Sequence, residues 1–171
     1  MKLNLELSSD DLVNKIAERL PEFTGYNKLD ARKENDSSIR QSLVKELTFA
    51  VNIFAKQLND SSRIGEAKRI VGNTVLSKFR SLHESIESQL QNETFFETDG
   101  IEDADLEIVL TQDLNLVTKA IALKEKTIRV SREIIAAPSW DAEVDELYGK
   151  LKDLSAAWER RERLVRSIGN N

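Results

Sequence analysis

The chain has 171 residues, of which 40 % are hydrophobic and 32 % charged, and its net charge is −5. It has no cysteine, which excludes disulfides, thiolate metal sites and cysteine nucleophiles. Two prolines and six glycines are too few for the many turns of a sheet protein, and the negative balance disfavours nucleic acid as the main partner.

These features predict a single all-α domain in two parts: an N-terminal segment, 1–36, packed on a helical bundle, 37–171. Met1 to Glu6 lack the apolar core of a signal peptide, and no apolar run reaches membrane-spanning length. A cytoplasmic protein with no membrane contact is the expectation.

Met1, Leu3, Leu5 and Leu7 alternate with polar residues, as a strand would. Residues 1–7 are therefore either a short strand that pairs with a second subunit or a partner's sheet edge, or a frayed terminus. Ser8, Ser9 and Asp10 offer helix caps, and Leu12, Val13, Ile16 and Leu20 follow at helical spacing up to Pro21. The polar face of this short helix mixes acids and bases, so it is expected to cover one end of the bundle. Gly25, Asn27, Asp30, Asn35 and Asp36 mark residues 22–36 as a loop, with Phe23, Tyr26 and Leu29 tucked onto the core.

Four long helices follow. The first spans about 36–58, with Ile39, Leu43, Leu47, Ala50, Phe54 and Leu58 inward. Asn59-Asp60-Ser61-Ser62 supplies turn chemistry, and a turn here is favoured over one continuous rod, about 80 Å long, across 37–91. The second helix runs to about Gln91 with Ile64, Ala67, Val71, Val75, Phe79, Leu82, Ile86 and Leu90 inward. The third, about 103–137, carries two apolar stripes. One contains Val109, Leu116, Ala120, Leu123, Val130 and Ile134, with Asp113 and Thr127 in its register. The other contains Leu110, Leu114, Val117, Ile121, Ile128 and Ile135. A helix so broadly apolar either sits centrally or offers its second stripe as a subunit interface.

Pro138 and Ser139 precede the fourth helix, whose seam steps by alternating fours and threes through Trp140, Val144, Leu147, Leu151, Leu154, Trp158, Arg161, Val165 and Ile168. Trp158 is too bulky for a tight two-stranded coiled coil, and Ala157 and Leu164 widen the stripe. The seam should therefore be covered by the chain's own helices. Arg161 is the polar member of that seam. Snorkelling outward at a frayed end is preferred for it over pairing with a buried acid such as Asp113.

One pattern points to chemistry. Glu84-x-x-Glu87 and Glu102-x-x-Asp105 each place two acids on one helical face, the oxygen-rich arrangement that Mg²⁺ requires. It resembles the ExxE…ExxD pattern of the all-α nucleotide pyrophosphohydrolases related to MazG. The resemblance covers about twenty residues of the chain and implies two facing acidic pairs that hold Mg²⁺ against a nucleotide's phosphates. Glu102 and Asp105 open a helix here, where carboxylates also complement the helix dipole. His83, the sole histidine, is expected at the core boundary, bonded to a carboxylate or to water. Arg160, Arg161, Arg163 and Arg166 gather positive charge on the last turns, where they could meet nucleic acid or complement the helix dipole.

The expectation is thus an up-and-down four-helix bundle without a cofactor. It acts as a non-catalytic protein-interaction or assembly component, homodimeric through Leu3, Leu5, Leu7 and the stripe Leu110, Leu114, Val117, Ile121, Ile128 and Ile135. The alternatives are a Mg²⁺-dependent pyrophosphohydrolase using Glu84, Glu87, Glu102 and Asp105, and a nucleic-acid regulator using the C-terminal arginines.

Overall fold

In the computed structural model, residues 7–60, 64–88 and 97–168 are described. They form an up-and-down bundle of four long helices with a short helix at the N-terminal side. The elements are α1 (Ser9–Ala17), α2 (Leu29–Asp60), α3 (Glu66–Ser88), α4 (Asp103–Ser131) and α5 (Pro138–Ile168). Most of the 1–7 segment, including Leu3 and Leu5, lies outside the described residues, and no strand occurs among those described.

Local chemistry sets the boundaries. Ser8 and Asp11 form a reciprocal capping box that opens α1. Pro138 occupies the first position of α5, where its missing N–H costs no helical hydrogen bond. Between α1 and α2, Gly25 adopts φ +88°, a left-handed conformation that favours glycine. Asn35 holds that turn: its Oδ1 accepts from the Thr24 amide at 2.9 Å, and its Nδ2 donates to the Gly25 carbonyl at 2.8 Å.

The chain turns back between α2 and α3, so 37–91 is not one rod. Gly72 lies against Leu58, and Thr48 lies beside His83, which makes the two helices antiparallel. Likewise, Asp113 meets Arg161 and Lys126 meets Glu143, so α4 and α5 are antiparallel. Consecutive α3 and α4 make no backbone contact among the described residues. They occupy one diagonal of the bundle, with α2 and α5 on the other. Two edges therefore join helices that run the same way. On the α2–α4 edge, Glu46 pairs with Lys124 and Gln57 donates to the Val130 carbonyl. On the α3–α5 edge, Lys68 pairs with Asp141 at one end, and Ser85 and Trp158 line one pocket at the other.

The seam of α5 is buried from Trp140 to Ile168, Arg161 included, and covered by the chain's own helices. Helix α4 is the central one, touching α1, α2 and α5. That placement accounts for its two stripes. Leu110, Val117 and Ile135 are buried within the chain, while Leu114, Ile121 and Ile128 are half-buried.

Several expectations need correction. Helix α2 begins at Leu29, so residues 29–36 are helix and not loop. Its first turns bury Arg32, Asn35 and Asp36 through polar partners, which leaves no apolar period to read. Leu29 is 36 % exposed. Val71 faces solvent because Gly72, not Val71, lies against α2; a Cβ on Gly72 would come within 2.5 Å of Leu58 Cδ2. Helix α4 stops at Ser131, and Ile134, beyond its end, is 73 % exposed. No helix among the described residues is long and apolar enough to cross a membrane.

Candidate functional site

Two regions carry most of the unusual chemistry. The first is a charged cluster inside the bundle. Arg161 projects from α5 with no exposure. Its Nε donates to Asp113 Oδ1 at 2.9 Å, its Nη2 lies 2.5 Å from Asp36 Oδ1, and its Nη1 donates to Glu162 Oε1 at 3.1 Å. Arg40 joins the same acids, to Asp36 Oδ2 at 2.7 Å and Glu162 Oε1 at 2.9 Å. The Tyr26 hydroxyl donates to Asp113 Oδ2 at 2.5 Å, which ties the α1–α2 loop to the cluster. Arg32 fixes that loop further, donating to the carbonyls of Tyr26 at 2.7 Å and Thr98 at 2.8 Å.

Three carboxyl groups here face two guanidinium groups. Burial pushes the Asp113 carboxyl above its ordinary range, and Arg161 opposes that rise. Burial, reinforced by Asp113, holds the Tyr26 phenol well above its ordinary value. Burial would weaken the Arg161 charge, but Asp113 and Asp36 hold its pKa well above the ordinary value. The proton therefore stays on Tyr26, and the ion pairs close within the fold, while the buried Arg40 Nη1 and Trp158 Nε1 have no hydrogen-bond partner among the described residues. Snorkelling of Arg161 is overturned: a guanidinium with carboxylates from α2, α4 and its own helix needs no water. Arg40 also stacks over Trp158, 4.7 Å from the ring centroid.

The sequence signal for this cluster was present in part. Asp36, Arg40, Leu43 and Leu47 share the inward register of α2, so the i, i+4 pair Asp36–Arg40 continues the core face in charged form. Tyr26 was legible as a core residue but not as a donor to Asp113, and Glu162 had no comparable signal.

The second region is the edge between α3 and α5, the most thinly packed edge of the bundle. At its wider end Ile70, Val71, Thr74 and Val75 face Val144, Asp145 and Tyr148 across a groove. Ile70 is 60 % exposed and Val71 41 %. Farther along, a second depression is lined by Ser85, Trp158, Glu159, Glu162, Arg163 and Arg166.

The four acids of the pyrophosphohydrolase-like pattern lie on separate helices. Glu84 and Glu87 are on α3, whereas Glu102 is the N-cap of α4 and Asp105 lies in its first turn. Because α3 and α4 are diagonal, the two pairs are not brought together; no group of three or more His, Asp or Glu among the described residues could hold a metal ion. His83 sits at the α2–α3 boundary, its Nε2 3.0 Å from Thr48 Oγ1 and its Nδ1 3.6 Å from Glu87. Of the C-terminal arginines, Arg160, Arg163 and Arg166 are exposed, while Arg161 is withdrawn into the core. Leu7 is half-buried against the core cluster.

Comparison with protein-family models, curated proteins and solved structures finds no match to this chain.

Proposed function

We propose that this protein is a non-catalytic helical-bundle component that acts by protein–protein contact, in the first instance as a homodimer. The observation that supports the reading is the α3–α5 edge, where Ile70 and Val71 remain exposed beside Tyr148 although the seam of α5 is buried. The stripe of α4 that was the first candidate surface contributes less, because Leu110, Val117 and Ile135 are occupied within the chain. The cysteine-free composition suits a cytoplasmic setting. The charged cluster serves this role indirectly, since its buried ion pairs fix which faces of α2, α4 and α5 remain outward.

Light scattering and sedimentation of the full chain test the reading. The expected mass is twice 19.4 kDa at micromolar concentrations. A mass of 19.4 kDa across the accessible range would remove the homodimer.

A further inference from the structure

We infer that two copies of this chain associate through the α3–α5 edge in an antiparallel, two-fold arrangement centred near Tyr148 and Gly149. This rests on the homodimer reading above and adds its surface, symmetry and partner contacts.

The argument begins with direction. Because α3 and α5 run the same way, both N-termini lie at one end of the groove and both C-termini at the other. Their dipoles add along this face, and a second copy docked head to tail would oppose them. Charged side chains line the same face. Toward the N-terminal end lie Glu66, Asp141 and Asp145, with Arg69 also there and Lys68 occupied by Asp141 and by the carbonyls of Ile135 and Ala137. Near the middle of the groove lie Lys78 and Lys152, the latter with its Nζ 5.0 Å from the Tyr148 ring centroid, and at the C-terminal end Glu159 and Glu162 lie beside Arg163 and Arg166. An antiparallel two-fold beside Gly149 sets Asp145 of each copy against Lys152 of the other, whereas a parallel one opposes like charges.

The spacing fits. Asp145, Gly149 and Lys152 follow one another at i, i+4 and i+7 on one stripe of α5. Asp145 and Lys152 are nearly equidistant from Gly149, so an axis beside Gly149 brings Asp145 of one copy to Lys152 of the other. A Cβ built on Gly149 meets nothing within 4 Å, so the chain itself leaves this position open and a neighbouring helix can approach closely. Tyr148 lies beside the axis, and Ile70 and Val71, to its N-terminal side, supply the rest of the apolar surface that a second copy would cover.

The experiment uses the full chain with sedimentation and light scattering, and circular dichroism as a control for folding. Ile70→Glu is expected to yield monomer with unchanged helicity. Asp145→Lys and Lys152→Glu alone should each weaken the dimer by about tenfold or more, and the two together should restore it because each contact is remade across the axis. Since the chain has no cysteine, Gly149→Cys gives a single thiol per copy. A short bismaleimide should crosslink Gly149→Cys into dimers, while Glu125→Cys, on exposed α4 surface, should not crosslink. A dimer indifferent to Ile70→Glu and to the charge swaps overturns this surface while leaving self-association intact. A monomeric wild type overturns both.

Discussion

The two flanks of α5 are closed by different means. Toward α4 the helix is locked by polar partners as well as apolar ones: Arg161 with Asp113 at one end, and Lys126 with Glu143 and Glu146 at the other. Lys126 loses solvation in that contact, yet its bonds to Glu143 and Glu146 hold its pKa above the ordinary value. Toward α3 the same helix has the Lys68–Asp141 pair and a shallow groove with Ile70 and Val71 in the open. One flank is complete within the chain and the other is not. Under the proposed function, that difference separates residues that define the fold from residues that a second copy would cover.

The charged flank should break hardest. Arg161→Met leaves Asp36 and Glu162 with Arg40 and leaves Asp113 with the Tyr26 hydroxyl but no cation, and stranded buried carboxylates cost about 3–5 kcal/mol. Urea unfolding followed by circular dichroism reads this as a lower midpoint. Adding Asp113→Leu should recover part of the loss, because fewer buried acids then lack a partner. Full stability of Arg161→Met would mean that the cluster does not hold this flank together.

A smaller effect is expected at Tyr26. Tyr26→Phe removes the donor to Asp113 Oδ2 and should cost about 1–3 kcal/mol. It also predicts a pH signature. Folded Tyr26 keeps its proton well above the ordinary phenol pKa, about 10, whereas in the unfolded chain the phenol ionises near that value. The unfolded state then binds fewer protons, so stability falls as pH rises past about 10. In Tyr26→Phe that alkaline slope should be shallower. Equal slopes in the two proteins would remove Tyr26 as its source.

What the sequence disclosed follows the same division. The α5 seam was legible because alternating steps of four and three leave one consistent face, and its residues from Trp140 to Ile168 are buried. The double stripe of α4 was legible as a helix with several neighbours. The start of α2 was not, since Arg32, Asn35 and Asp36 are buried by hydrogen bonds and ion pairs, which carry no hydrophobic period. The α3–α5 edge was hidden for the converse reason: Val71 reads as a core residue, and only the close approach of Gly72 to Leu58 turns it outward. Asp113 was visible as an acid in an apolar register and Arg161 as a candidate partner for it, but its two partners, Tyr26 and Arg161, come from distant stretches of chain and no local spacing decides between pairing and snorkelling.

The least effect on the fold itself is expected at the open flank, and concentration makes that flank measurable. At protein concentrations low enough to keep the chain monomeric, Ile70→Ser should change unfolding stability by no more than about 0.5 kcal/mol, because Ile70 is 60 % exposed. Raising the concentration should then raise the wild-type urea midpoint, since association stabilises the folded state by mass action. Ile70→Ser should lack most of that rise. The same titration on Tyr26→Phe should keep the wild-type concentration dependence and shift only its baseline, because Tyr26 lies in the cluster closed within one chain. If Ile70→Ser proved as damaging at low concentration as a core truncation, about 2–5 kcal/mol, the α3 flank would be part of the monomer's own core and the contrast between the two flanks would fail.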